Sequence, residues 1–363
     1  MRSLLSLLCL SLLLTGCQPN SAEKLMRDYI QRLSNALEEP IAFQPQEASP
    51  YPSLPARRDR LHSLQEVREG LVDLLDLRHC TGLLPLIAER NSSLGRVMQP
   101  AQQLSYELEL LRQLHNCQTQ LREGLATAPE WSSALERVER IQQIKQQQLD
   151  KQIWNSLYAS PEMEQQFSRA SPARALDSQG QMADMERYLV SLIQVAQLTS
   201  RPLPDWPQEE SFYQLSPLYE GLHRNRFGSE WLKSIQLLTY TLNQASTGIE
   251  ARLERRPICF NQQANPRAQI LRNVFQNYYA TGVQPYLSQT HRDGERWLSL
   301  QQQLLELLPL PEAMQTYQQQ VLDRHAEEGV WQTYIRARDR HTQTWQRLLT
   351  ECGLAPGAQD PTG

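Results

Sequence analysis

Glu89-Arg90-Asn91-Ser92-Ser93-Leu94-Gly95-Arg96 is the stretch whose residue types and spacing suit chemistry. A carboxylate, two guanidiniums, an amide and two hydroxyls stand close together between apolar segments of helical spacing. Two kinds of chemistry fit. A glutamate in a partly apolar pocket, which Leu86, Ile87 and Met98 would supply, has a raised pKa and can act as a general acid on a glycan. Alternatively, charges that are partly buried must be paired, and a paired network often marks a site. That makes Glu89, Arg90, Asn91, Ser92, Gly95 and Arg96 a candidate functional surface. The structural counterpart is a corner between helices. Gly95 would take a positive φ at a helix end, Ser92 or Ser93 would cap locally, and Glu89 would pair with Arg90 or Arg96.

Other clusters are weaker. His79-Cys80 and His115 with Cys117 gather metal-ligating types, but adjacent residues rarely hold one ion and the spacing matches no zinc pattern. "HRDG" at 291–294 echoes a kinase catalytic loop without any other kinase element. His325, Glu327 and Glu328 read as a solvated face, as do the arginines of "ARLERR" (251–256) and "RARDR" (336–340). No P-loop, dinucleotide-binding glycine pattern, HExxH, GxSxG or CxxC occurs. The run "AERNSSLGRVMQPAQ" is similar to lytic transglycosylases, which carry a helical Glu-Ser and, further on, a Gly-Leu-Met-Gln run with proline. Here Glu89 is followed by Arg90, and Gly95 to Pro100 comes too soon for a cleft-forming segment. A glycan-acting enzyme with Glu89 as acid is therefore an alternative, and no metal or other cofactor is expected.

The N-terminus decides the setting. Arg2 precedes an apolar run from Leu4 to Leu14, well short of the roughly 20 residues that span a bilayer. Such a start reads as a signal peptide over residues 1–16. Leu14-Thr15-Gly16-Cys17 resembles the lipobox of bacterial lipoproteins, which implies cleavage before Cys17 and a lipid on its sulfur. Each buried methylene contributes about 0.8 kcal/mol, so two or more acyl chains anchor stably. Gln18, where an aspartate would favour the inner membrane, points by resemblance to that sorting rule to the periplasmic leaflet of the outer membrane. A net charge of -4 argues against a nucleic-acid partner.

Of six cysteines, Cys9 leaves with the signal peptide and Cys17 takes the lipid. Cys80, Cys117, Cys259 and Cys352 remain, an even number that in an exported chain reads as two disulfides. Three pairings exist. Cys80–Cys117 and Cys259–Cys352 are favoured, because each closes a helical hairpin in its own half.

The elements that must position these residues are helical throughout. Residues 17–60 hold the anchor, a first helix through Leu25, Met26, Tyr29, Ile30, Leu33 and Leu37, and a linker with prolines at 40, 45, 50, 52 and 55, a spacer or strap. Residues 61–200 form one helical half: 61–80, 83–93, 96–123, 131–157 and 182–198. "RPLPDWPQEES" (201–211) is the best internal boundary. Residues 211–352 form the second half, with helices near 228–254, 265–280, 284–308, 312–327 and 330–351, and 353–363 is a loose tail. Trp331, Tyr334, Ile335, Trp345, Leu348 and Leu349 follow helical spacing and read as core. The fold class is all-α: a disulfide-stapled multi-helix bundle, in one piece or two packed halves.

"SPYPSLPARRDR", "CTGLLPLIAERNSSLGRVMQPAQQLSYELELL" and the following Cys117 resemble an uncharacterised group of proteobacterial lipoproteins, a domain of unknown function. The likeness is most specific between Cys80 and Cys117. It implies a Gram-negative envelope and no particular activity. The expectation is an envelope interaction or scaffold module with a protein partner; the further alternative is a carrier of a lipid or small ligand.

Overall fold

Met26, Tyr29, Ile30, Leu33 and Leu37 recur at steps of three and four, and there the chain folds into helix α1 (Ala22–Leu37), with Ser21 Oγ accepting from the Lys24 N–H at 3.2 Å. A computed structural model describes residues 21–47, 51–67, 76–178 and 180–355. The expected signal peptide, Cys17 and residues 68–75 of the expected second helix lie outside the described residues. Among the described residues the fold is all-α, with one isolated bridge, Phe260 to Gln263, in place of any sheet.

In chain order there follow α2 (Leu83–Asn91), α3 (Pro100–Gly124), α4 (Ser132–Gln147), α5 (Leu149–Tyr158), α6 (Pro161–Gln166) and α7 (Gln181–Ala196). Then come α8 (Ser216–Arg224), α9 (Phe227–Arg255), α10 (Pro266–Val274), α11 (Gln284–Leu307), α12 (Glu312–Tyr317) and α13 (Val330–Glu351). Helix α9 is apolar or small on nearly every side and is buried against α13, α1 and α11. Its buried hydroxyls are satisfied within the helix: Ser234, Thr241 and Ser246 donate to the carbonyls of Glu230, Leu237 and Leu242 at 2.7, 2.7 and 2.8 Å.

The main core runs from Ala22 to Cys352 and includes Leu203, Trp206 and Tyr213, from the region that the prolines suggest as a boundary. A smaller core stands beside it, made of Leu77, Leu83, Leu110, Leu114, Val138 and Ile141 around Cys80 and Cys117. Both favoured disulfides are present. Cys80–Cys117 ties the turn before α2 to α3, and Cys259–Cys352 ties the loop after α9 to the end of α13. Each stabilises by about 2–4 kcal/mol, largely by restricting the unfolded chain.

Four helical expectations are corrected. Residues 61–67 are extended, not helical. Their backbone is held by side chains: Asn155 accepts from the His62 N–H and donates to its carbonyl, both at 2.8 Å, and Gln148 does the same for Gln65 at 2.8 and 3.1 Å. Upstream, Arg60 is buried, donating to the Tyr158 carbonyl at 2.7 Å and to Glu164 at 2.6 Å, while Trp154 Nε1 donates to the Arg60 carbonyl at 2.7 Å. Residues 51–67 are thus a strap over the body. Residues 131–157 are two helices broken at Gln148, the residue whose amide clasps the strap. Residues 266–307 are one continuous rod: a π-helix over Phe275–Val283 joins α10 to α11. The wider turn keeps the rod intact just before Pro285, which lacks an N–H and would break a regular α-helical register. Finally, the helix expected over 312–327 ends at Leu322, after a short π segment (Gln318–Leu322), and His325, Glu327 and Glu328 are exposed on a loop.

Candidate functional site

The Glu89 to Arg96 run is a corner with a defined construction. Helix α2 ends at Asn91, and the Ser92 N–H closes it on the carbonyls of Ala88 and Glu89, both at 3.1 Å. Ser92 Oγ accepts from the Gly95 N–H at 3.0 Å, and the Arg90 guanidinium donates to the Gly95 carbonyl. Gly95 does not have the positive φ expected of it. Its role is close approach, because a Cβ there would overlap the carbonyl oxygens of Glu89 and Arg90. Gly95→Ala is expected to cost about 1–3 kcal/mol through forced displacement of that turn. Urea unfolding of the variant measures it, and an unshifted midpoint would show that the turn yields freely. The expected Glu89 pairing with Arg90 or Arg96 does not occur among the described residues; Glu89 is exposed and Arg90 turns to the Gly95 carbonyl. The turn Gly95–Val97 leaves two apolar side chains in solvent, Leu94 at 82% and Val97 at 68% exposure.

Arg90, Asn91 and Arg96 also form the rim of a cleft of about 1050 Å³. One wall is a single face of α3, with Gln103, Tyr106, Glu107, Leu110 and Leu114. The opposite wall is Ile141, Lys145, Gln148 and Gln152, from α4, the break and α5. The strap closes one side through Leu64, Gln65, Glu66 and Val67, and Leu77 and Ile87 complete an aliphatic floor. Lys145 Nζ lies 2.9 and 2.8 Å from the two oxygens of Glu107, a pair mostly shielded from water that bridges the walls. The Tyr106 hydroxyl is pushed well above the ordinary range, first by burial and then by the Glu107 carboxylate, with Arg90 opposing.

Among the described residues the titratable groups of this lining are Glu66, Arg90, Arg96, Tyr106, Glu107 and Lys145. Lys145 and Glu107 neutralise each other, and Tyr106 holds its proton at any physiological pH. Glu89 is not part of the lining and stands exposed. Sequence patterning missed Gln103, Glu107, Lys145 and Gln152. One signal was available: Glu107 is a charge on the otherwise apolar face of α3. Within the glutamine-rich run 142–148, Lys145 and Gln148 turn to the cleft, which their pattern along the helix does not show.

Two other features are settled by the fold. Cys80 and Cys117 are bonded to each other, so their sulfurs are not ligands beside His79 and His115. In "HRDG", Asp293 pairs with the buried Arg174 at 2.7 Å, Gly294 lies against the Trp231 indole where a Cβ would overlap it, and His291 stacks on Trp331 at 5.0 Å. A second hollow of about 610 Å³ lies next to that ion pair, lined by Leu25, Arg174, Leu176, Ser178, Pro285 and Gln289, among others.

Residues 26–356 match the protein family DUF3080, described as a protein of unknown function. Neither a curated protein nor a solved structure matches the chain.

Proposed function

For this chain, which belongs to that family, we propose the role of an interaction module of the Gram-negative cell envelope. It is a lipoprotein held through Cys17 on the periplasmic leaflet of the outer membrane. It acts without a cofactor and engages an envelope protein through the cleft between α3 and α4. The cleft carries this reading: a large aliphatic floor rimmed by Arg90, Asn91 and Arg96, with no Ser, Thr, Cys or His among its described residues. Two disulfides suit an oxidising compartment, and among the described residues no helix is long and apolar enough to cross a membrane.

Crosslinking of the lipidated protein in living cells, with an Arg90→Glu/Arg96→Glu variant beside it, tests the reading. The expected result is a specific envelope partner that the variant loses while it remains folded. Capture of nothing specific, or full retention by the variant, sinks it. Labelling with radioactive palmitate checks the anchor, and Cys17→Ser should abolish the label.

A second reading, a carrier of a lipid or small ligand, draws on the hollow of about 610 Å³ beside α1. Native mass spectra of the extracted protein would then show a bound mass. The glycan-enzyme reading keeps its own check, release of soluble fragments from purified sacculi that Glu89→Gln abolishes. Exposure of Glu89 outside the cleft gives that reading no support.

A further inference from the structure

Gln148, Gln152 and Asn155 follow one another at steps of four and three and share a face across the break into α5. The outer two already read an extended backbone. Gln148 and Asn155 each accept from one strap N–H and donate to the same residue's carbonyl, at Gln65 and His62. The spacings agree: seven helical residues rise about 10.5 Å, and three extended residues span about 10 Å. The middle member behaves differently. Gln152 is only 7% exposed and lines the cleft, yet its side-chain amide has no hydrogen-bond partner among the described residues. Across the cleft, the half-buried Gln103 likewise makes no side-chain hydrogen bond among the described residues. Both amides face the open cleft, where a ligand with both donors and acceptors can take the place of water.

Resting on the interaction role proposed above, we infer that the cleft takes an extended peptide segment of the partner protein, its backbone read by Gln152 and Gln103, its side chains alternately apolar and acidic. The cleft wall from Gln103 to Leu114 runs about 16 Å along α3, the length of about five extended residues. The alternation follows from the two faces of an extended chain: one meets the aliphatic floor, the other the rim. At the rim, Arg90 and Arg96 have no carboxylate partner among the described residues, so they favour aspartate or glutamate in the peptide. The aliphatic floor offers little to a sugar ring, which prefers an aromatic platform.

The test uses the full mature chain in detergent and a fluorescent, end-blocked peptide of about eight residues alternating leucine and aspartate. Fluorescence anisotropy should show binding, weakened about tenfold when alternate backbone amides are N-methylated, and about tenfold by Gln152→Met in a protein of unchanged melting temperature. Arg90→Gln/Arg96→Gln should erase the preference for this peptide over one alternating leucine and lysine. Equal binding of the N-methylated peptide, indifference to Gln152→Met, or no binding by either peptide overturns the inference. If Gln152→Met fails to fold, Gln103→Met on the other wall replaces it. A photoreactive residue at position 103 in living cells separates the two levels. A partner captured there while peptides fail leaves the interaction role standing without the extended-peptide mode. Peptide binding with no cellular partner removes the role instead, and an adduct confined to the chain itself overturns both.

Discussion

Asp293→Ala is expected to destabilise the protein by about 3–5 kcal/mol, because it strands a buried guanidinium. Arg174 is 3% exposed, and its Nη1 donates to Asp293 Oδ2 at 2.7 Å. Its Nη2 donates to the Ser178 carbonyl at 3.1 Å, and its guanidinium lies 4.8 Å from the Phe227 ring centroid. The backbone is equally committed: the Arg174 N–H donates to Ser234 Oγ at 2.9 Å, and Tyr286 donates to the Arg174 carbonyl at 3.2 Å. The Arg174 backbone therefore stays fixed when the carboxylate is removed, and the guanidinium keeps only the Ser178 carbonyl and the Phe227 face as partners among the described residues. Gln289, which donates to Asp293 Oδ1 at 2.7 Å, would lose its acceptor as well. Replacing both charges, Arg174→Met with Asp293→Leu, should cost less than Asp293→Ala alone, since a matched apolar pair leaves no orphaned charge. Urea unfolding of the two singles and the double gives the coupling directly. A loss below about 1 kcal/mol in Asp293→Ala would mean that water reaches Arg174.

Acid should destabilise the fold from near neutral pH downward, with His341 the main cause. His341 is fully buried on α13, with Nε2 2.8 Å from the Tyr29 hydroxyl, which also accepts from Trp345 Nε1 at 2.9 Å. The Tyr29 proton then points to His341 Nε2, which accepts, so the imidazole is neutral. Its Nδ1 is buried without a partner among the described residues, and the Tyr279 ring lies 4.5 Å away. Burial pushes the His341 pKa down to about 3. In the unfolded chain the same group takes its proton near pH 6.5. Between those values the unfolded state binds the extra proton. Stability is therefore complete above about pH 6.5 and falls by about 1.4 kcal/mol per pH unit as pH drops through the window toward 3. His291, lowered by burial and then by Arg338, adds in the same direction. His341→Phe should be less stable at neutral pH, having lost the Tyr29 bond, but flatter between about pH 6.5 and 4.5. Unfolding midpoints across that range decide it, and parallel slopes for the two proteins would refute the assignment to His341.

What was legible in advance depended on how local the cause was. Helix α1 could be placed because Met26, Tyr29, Ile30, Leu33 and Leu37 mark one face, and Trp331 to Leu349 could be assigned to the core on the same ground. The Ser92 cap was visible because it acts within a few residues. The extended strap was not, because Leu61, Leu64 and Val67 keep a helical period while their backbone partners sit on Gln148 and Asn155, more than eighty residues on. The joining of α10 to α11 was hidden in a similar way: Pro285 signals an end, and only a π segment lets the rod continue.

By itself the sequence determined the all-α class, an even set of four cysteines for two disulfides and a polar run at residues 89–96, since periodicity, parity and residue type are properties of neighbours; it favoured one pairing of the cysteines and left corner and site both open. The tertiary structure alone decided that this corner borders a cleft, that Lys145 crosses it to Glu107, and that the Gln152 amide there has no partner among the described residues. Those facts depend on which side chains meet across long separations, and a polar residue's pattern along a helix does not say whether it faces water, an ion-pair partner or an open site.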